Sequence, residues 1–208
     1  MEIKRLKKND LNLLFKYLKK NFKSSHIFYK SSKLFDWQYL SKNDYNFYTL
    51  KIEKNIKAVQ GYIPTSRYDK KLKNDTIFLS MWSSSAVSVG TKLFYYFIKK
   101  NKYNLLVGLG SSRESFLFQK MVNFNCGHMD HYFLTNSQGH KKLISPANFS
   151  NWKSSLIVKN FREIVTKNEI MKIDHYIFKA QYPKKTNQYI FNRYFKHQFY
   201  KYNIHEIR

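Results

Sequence analysis

Cysteine is nearly absent from this sequence. Cys126 is the only one in 208 residues, which excludes an internal disulfide framework and any multi-cysteine zinc site. Glycine and proline are scarce as well, at six and three, fewer than an all-β sandwich with many tight turns uses. Negative charge is also thin: 13 acidic residues face 38 basic ones. Long apolar runs are missing, and the stretch from Leu93 to Ile98 is far short of the roughly 20 residues a membrane span needs. The first residues, Met1 to Lys8, carry charge without the apolar core of a signal peptide. A cytoplasmic chain with no membrane span is expected.

Hydrophobic residues make up 43% of the chain and aromatics 18%, ample for a packed core. The length suits one medium domain, or one domain plus part of a second. The formal net charge of +25 invites nucleic acid or an anionic membrane as partner. Yet only six of the basic residues are Arg, and the Lys residues are spread along the chain. Asn, Ile, Phe and Tyr are abundant too, so A/T-rich coding explains much of the excess. A dedicated reader of nucleic acid more often concentrates Arg, whose planar fork suits phosphates and base edges. No nucleic-acid partner is expected, while the surplus still favours an anionic ligand such as a nucleotide phosphate.

Asp10 is placed to cap a helix in which Leu11, Leu14, Phe15, Leu18 and Phe22 form one stripe at helical period. Tyr45 to Ile52 and Ile56 to Ile63 read as strands joined by a turn at Lys54-Asn55, and Thr76 to Trp82 as a third. Together they predict an antiparallel meander. A small-residue loop, Ser83 to Gly90, then leads to a helix with Leu93, Phe94, Phe97 and Ile98 on one face. The continuous apolar run Leu105 to Leu109 predicts a strand covered on both faces. A helix to about Val122 and a strand from Met129 to Leu134 follow. The pattern weakens after Asn136, where Leu156 to Val165 reads as a helix and Ile170 to Ala180 as a strand or two. The fold class expected is α/β, around a mixed and mostly antiparallel sheet flanked by helices.

Near the C-terminus, Ile190-Phe191-Asn192-Arg193-Tyr194-Phe195 aligns without gaps with Phe35-Asp36-Trp37-Gln38-Tyr39-Leu40. Continuing, Tyr200 falls on Tyr45, Tyr202 on Phe47 and Ile207 on Ile52. Internal duplication is one reading; chance matching in a Tyr- and Phe-rich chain is the other. If the repeat holds, Arg208 ends inside a second, truncated copy.

Ser88-Val89-Gly90-Thr91, between a strand and an amphipathic helix, has the logic of a phosphate loop: close backbone approach, converging N–H groups and a helix N-terminus. A single glycine before a helix is also an ordinary turn. The element order resembles the GNAT superfamily of acyltransferases. The family's loop, commonly Arg/Gln-x-x-Gly-x-Gly/Ala, falls on Ser85 through Gly90, Val107-Gly108-Leu109-Gly110 matches its fifth strand, and Ser115 through Phe124 its next helix end. Phe35-Asp36-Trp37-Gln38-Tyr39, Ala58-Val59-Gln60-Gly61-Tyr62-Ile63-Pro64 and His131-Tyr132-Phe133 resemble tandem-GNAT proteins of bacterial surface-polysaccharide gene sets. This resemblance covers roughly 25–136 and 187–208.

The resemblance implies transfer of an acyl group, usually acetyl, from acyl-CoA to a small amine, with an amino sugar or its nucleotide conjugate as candidate acceptor. It implies an acyl-CoA-binding domain over 1–136, a connecting segment over 137–186 and the truncated start of a second repeat over 187–208. Met81, Trp82, Ser85, Ser88, Val89, Gly90, Thr91, Ser112 and Gln119 are the expected contacts to acetyl-CoA or another acyl-CoA. An oxyanion-stabilising backbone N–H is expected near Ser80 to Trp82. Asp36 and His131 are the candidate bases; a surface carboxylate and a hydrogen-bonded structural histidine are the alternatives. Trp37, Tyr39 and Gln60 are the candidate acceptor contacts, with a packing role open for the tryptophans, Trp152 included.

No metal is expected, because on a strand His128 and Asp130 point away from His131. Several positions depart from the family pattern. Ser85 and Ser88 replace Arg/Gln and Gly, Gln119 stands where many members have a Tyr that protonates the thiolate, and Asn123 replaces a Gly. A Gln is no general acid at neutral pH. A non-catalytic GNAT-like remnant is therefore the second reading. A basic nucleic-acid module, recognisable by salt-dependent binding to any duplex, is the third.

Overall fold

The computed structural model describes residues 1–22, 24–73, 75–128, 161–173 and 183–207. The chain begins with β1 (Glu2–Lys7) and α1 (Leu11–Asn21), followed by α2 (Ser32–Tyr39) and the short β2 (Leu40–Ser41). The meander β3 (Asp44–Ile52), β4 (Asn55–Pro64) and β5 (Thr76–Ser84) comes next. Then follow α3 (Val87–Lys100), β6 (Leu105–Gly108) and α4 (Arg113–Met121). The later described elements are β7 (Phe161–Ile164), α5 (Lys167–Met171), α6 (Asn187–Ile190) running on into a π-helical turn (Phe191–Phe195), and β8 (Ile204–Ile207).

The central sheet has the order β1-β3-β4-β5-β6, with β2 paired to β3. Every pairing is antiparallel except β5 with β6. This is the mixed, mostly antiparallel α/β architecture expected from the sequence. Strand pleating sends alternate side chains to opposite faces. Phe47, Val59 and Ile63 join Leu14, Leu18, Leu34 and Phe35 of α1 and α2 in one core. Tyr48, Leu50, Ala58, Tyr62 and Ile77 join Leu93 and Phe97 of α3 in a second core.

Compact units divide the chain: Met1–Gly110 with Ile164–Ile204 forms one, and Ser111–Glu163 with His205–Arg208 the other. In the first, the C-terminal residues are bound by specific polar contacts. Thr186 Oγ1 donates to Asp69 Oδ2 at 2.5 Å, Asn192 Nδ2 to the Tyr68 carbonyl at 2.6 Å, and Arg193 Nη1 to the Tyr68 hydroxyl at 2.5 Å. Tyr189 is buried beside Tyr68.

Several local expectations need correction. The basic N-terminal stretch is edge strand β1, because Ile3 and Leu6 each contribute to one of the two cores. Asp10 stands at the N-cap of α1 but makes no cap bond; its carboxylate pairs with Lys51 Nζ at 3.0 Å. The β3–β4 turn lies one residue earlier than expected, on Glu53-Lys54, with Ile52 opposite Asn55. β6 is half-buried rather than covered on both faces; β5 is its partner among the described residues. Part of the predicted 156–165 helix is strand β7. Part of the predicted 170–180 strand is α5, nucleated by a capping box in which Glu169 N donates to Thr166 Oγ1 and Thr166 N to Glu169 Oε2. The predicted strand 129–134 lies outside the described residues.

Both residues of the β3–β4 turn are in the left-handed region, Glu53 at φ 48° and Lys54 at φ 67°. This is the backbone of a type I′ hairpin turn, whose preferred residues are Asn-Gly. A left-handed residue other than Gly or Asn costs roughly 1 kcal/mol. Replacing the pair by Asn-Gly is expected to stabilise the protein by about 1 kcal/mol, raising Tm by roughly 2–4 °C. An unchanged melting temperature would show that the turn stores no strain.

Candidate functional site

The candidate site is built where β5 runs on beyond the end of its partner β6. β5 pairs with β6 from Thr76↔Leu105 to Leu79↔Gly108, and there β6 ends while β5 continues to Ser84. On its other side β5 stays with β4, but not residue for residue. Gly61 opposes Ser80 and Val59 opposes Ser83, so Gln60 faces both Met81 and Trp82. One residue against two is a β-bulge, which bends the strand and interrupts its ladder. Met81 takes φ 45° there, a costly conformation for a side chain of its size, persisting only where the surroundings impose it.

Only Ser85 and Ala86 separate β5 from α3. The expected loop of Ser83 to Gly90 is therefore mostly regular structure: Ser83 and Ser84 end the strand, and Ser88, Val89, Gly90 and Thr91 form the first turns of the helix. Ala86 at the N-cap offers no side-chain acceptor. Gly90 N donates to the Ala86 carbonyl at 3.1 Å, while the first N–H groups of a helix, here those of Val87, Ser88 and Val89, have no partner within it. Their positive potential opens to solvent beside exposed Val87 and Ser88.

Gly90 is required by packing. A Cβ there would meet Ser84 Oγ at 2.6 Å and Trp82 Cζ2 at 3.7 Å, so the helix can lie against the strand only without a side chain. Ser88, where the resemblance expects a glycine, carries no strain, because its backbone is helical. Asn123, at the other position where the resemblance expects a glycine, takes the left-handed φ of 61° that asparagine tolerates.

The other expected contacts divide. Trp82 packs its ring 5.2 Å from Phe94. Met81 packs against the α1/α2 core and Val89 against the α3 core, each half-buried. Ser85 N donates to the Lys57 carbonyl at 2.8 Å, leaving its exposed hydroxyl available. Ser112 and Gln119 belong to the second unit. There the Ser112 hydroxyl caps α4 by accepting from Ser115 N at 3.3 Å, and Gln119 Oε1 accepts from Ser111 Oγ at 3.4 Å.

The expected acceptor contacts turn out to be enclosed or engaged. Tyr39 is 1% exposed. Its hydroxyl, pushed up to about 12 by burial, donates to Ser80 Oγ at 3.2 Å and accepts from Gln38 Nε2 at 2.8 Å. It supports the bulge strand and stays neutral at any physiological pH. Trp37 stands between Tyr68 and His197, at 5.4 and 4.6 Å, with the Arg193 guanidinium 5.5 Å from its ring. These are packing roles. Gln60 is fully buried.

Asp36 accepts from the Tyr45 hydroxyl at 2.6 Å. Burial, with the Asp36 hydrogen bond behind it, holds that phenol well above its ordinary range. The carboxylate thus finds its partner on β3 rather than on β5. His131, Asp130 and Trp152 lie outside the described residues. Among the described residues no three His, Cys, Asp or Glu side chains gather where a metal could bind, and no helix is long and apolar enough to cross a membrane.

Sequence reasoning placed Ser80 only as the start of the oxyanion-stabilising stretch, and it did not single out Arg67. Ser80 is held through both its hydroxyl and its carbonyl. Arg67 binds the C-terminal end of α2, and one arginine in the connection after β4 carries no local signal of that role.

No protein-family model matches the chain, and no curated protein matches it. Two solved structures align with it. A transcriptional regulator from Bacillus halodurans C-125 aligns at 13% identity and a TM-score of 0.43, over 64% of this chain and 99% of its own. An acetyltransferase from Trypanosoma brucei aligns at 9% identity and a TM-score of 0.42, with the same coverage. Similarity this low carries no functional argument, and the fold stands on its own topology.

Proposed function

We propose that the chain is a GNAT-like domain that binds acyl-CoA where β5 parts from β6, and that its reaction is transfer of the acyl group, acetyl in the first instance, to an amine. The observation that carries this reading is the bulge at Met81–Trp82 beside an uncapped helix N-terminus. The α3 N–H groups would take the pyrophosphate, and the gap beyond Leu79 and Gly108 would admit the pantetheine arm. A neutral amine attacks the thioester carbonyl, a backbone N–H at the bulge steadies the oxyanion, the amine proton passes to a base and CoA leaves as the thiol. An amino sugar of surface-glycan synthesis is the acceptor proposed from the resemblance, and the cytoplasm the compartment.

The C-terminal residues are read as the start of a second repeat. Ser31 caps α2 by accepting from Leu34 N at 3.2 Å, and Thr186 caps α6 by accepting from Tyr189 N at 3.0 Å. These pairs share the spacing that aligns Ile190–Phe195 with Phe35–Leu40, and β8 falls on the end of β3. A second functional reading, binding without turnover, is favoured by the engagement of Asp36 with Tyr45 and by Gln119 in place of a phenol.

Calorimetric titration with acetyl-CoA tests the proposal, using Val87→Asp/Ser88→Asp as the control. Both side chains are exposed. Carboxylates in the first turn of a helix favour the fold but repel a pyrophosphate by up to about 4 kcal/mol per close charge pair. The double variant is expected to melt no lower than the parent and to bind acetyl-CoA at least about 100-fold more weakly. Equal binding by both proteins, or none by the folded parent, would refute the site.

A further inference from the structure

Gln60 lies on β4 opposite the two bulge residues and is 0% exposed. Its Nε2 donates to the Gly61 carbonyl at 2.7 Å and to the Ser80 carbonyl at 3.2 Å. Two carbonyl acceptors fix which end of the carboxamide carries the N–H groups. Its Oε1 is enclosed and receives no hydrogen bond among the described residues. A buried acceptor left unpaired is costly, and a methionine would fill the same space without that cost. Packing alone therefore does not account for a glutamine here.

The Ser80 carbonyl immediately precedes Met81. Where the bulge breaks the one-to-one ladder, the Gln60 side chain supplies the donor that this carbonyl takes. The Tyr39 hydroxyl holds the Ser80 side chain at the same time. Residue 80 is thus pinned through backbone and side chain, just before a residue at φ 45° that needs its surroundings to keep it there.

We propose that Gln60 is a positioning residue that clamps the Ser80 carbonyl and so aims the backbone N–H groups of Met81 and Trp82 at the acyl oxygen, making the domain prefer an acyl-CoA to free CoA. The inference rests on the acyl-CoA reading above. Gln60 touches neither ligand; it acts through the strand, whereas the helix end binds the parts the two ligands share.

The test is titration of the parent, Gln60→Met and Tyr39→Phe with acetyl-CoA and, separately, with CoA. The parent is expected to bind acetyl-CoA more tightly than CoA. Gln60→Met should remove most of that preference while CoA affinity stays within about twofold. Tyr39→Phe, which releases the other anchor and keeps the ring, should shift the preference in the same direction by less, and serves if Gln60→Met does not fold. A general loss of structure would weaken both ligands together, so the ratio is diagnostic. Preference retained in both variants, or absent from a parent that binds both ligands, overturns the role of Gln60 and leaves the acyl-CoA reading standing. A parent that binds neither ligand overturns both.

Discussion

Replacing Arg67 with leucine is expected to cost about 3–5 kcal/mol of stability. The guanidinium donates from Nε to the Trp37 carbonyl at 2.6 Å, from Nη2 to the Asp36 carbonyl at 2.8 Å and from Nη1 to the Leu40 carbonyl. Helix α2 and the residue that follows it therefore end on one charged fork. The last carbonyls of a helix have no partner within it and carry its negative potential, so a cation there satisfies both needs. Burial pulls the Arg67 pKa below its ordinary value, yet an arginine remains charged.

Leucine would fill the space but leave these carbonyls short of a donor, at roughly 1–3 kcal/mol for each one that water cannot reach. Arg67→Lys is expected to recover only part of the loss, because one ammonium cannot reproduce a planar fork. Urea denaturation reads the effect as a lower midpoint at unchanged slope. A loss below about 1 kcal/mol for Arg67→Leu would show that water satisfies this helix end. The variant also bears on the site, since Tyr39, which reaches Ser80, is the last residue of α2.

Gly61→Val is expected to prevent stable folding, and Gly61→Ala to cost about 2–3 kcal/mol. A Cβ at position 61 would lie 2.6 Å from Phe47 Cζ and within 3.0 Å of both ring Cε atoms. Phe47 is 0% exposed, with Phe35 at 5.4 Å and Tyr39 at 4.6 Å between ring centroids. Its ring has no free direction in which to yield. Phe47→Leu should relieve the clash, so Gly61→Ala with Phe47→Leu is expected to lose less than the two single losses added together. Strict additivity in thermal or urea unfolding would disprove the packing explanation.

Periodicity alone made the meander and the face of α3 legible. Side chains on a strand alternate and those on a helix return every 3.6 residues, so the segments from Tyr45 to Trp82 and from Leu93 to Ile98 announce their type and buried face without knowing their neighbours. Small residues between β5 and α3 marked the strand-to-helix connection for the same local reason. They did not mark where the helix starts, because Gly90 serves close approach to Ser84 and Trp82, a demand made by another strand. β1 was missed because its Lys and Arg residues hide the two apolar positions that an edge strand needs. The bulge, and with it the change of Gln60 from an expected acceptor contact to a buried clamp, depends on how β4 and β5 are registered. Tyr39 on Ser80, Arg67 on the end of α2 and Trp37 beside Arg193 and His197 likewise join residues distant in sequence. Such contacts arise only when the chain closes on itself. The sequence by itself determined element types, buried faces and the basic, cysteine-poor chemistry of the chain, whereas tertiary structure decided which buried polar groups meet and where the backbone is held under strain.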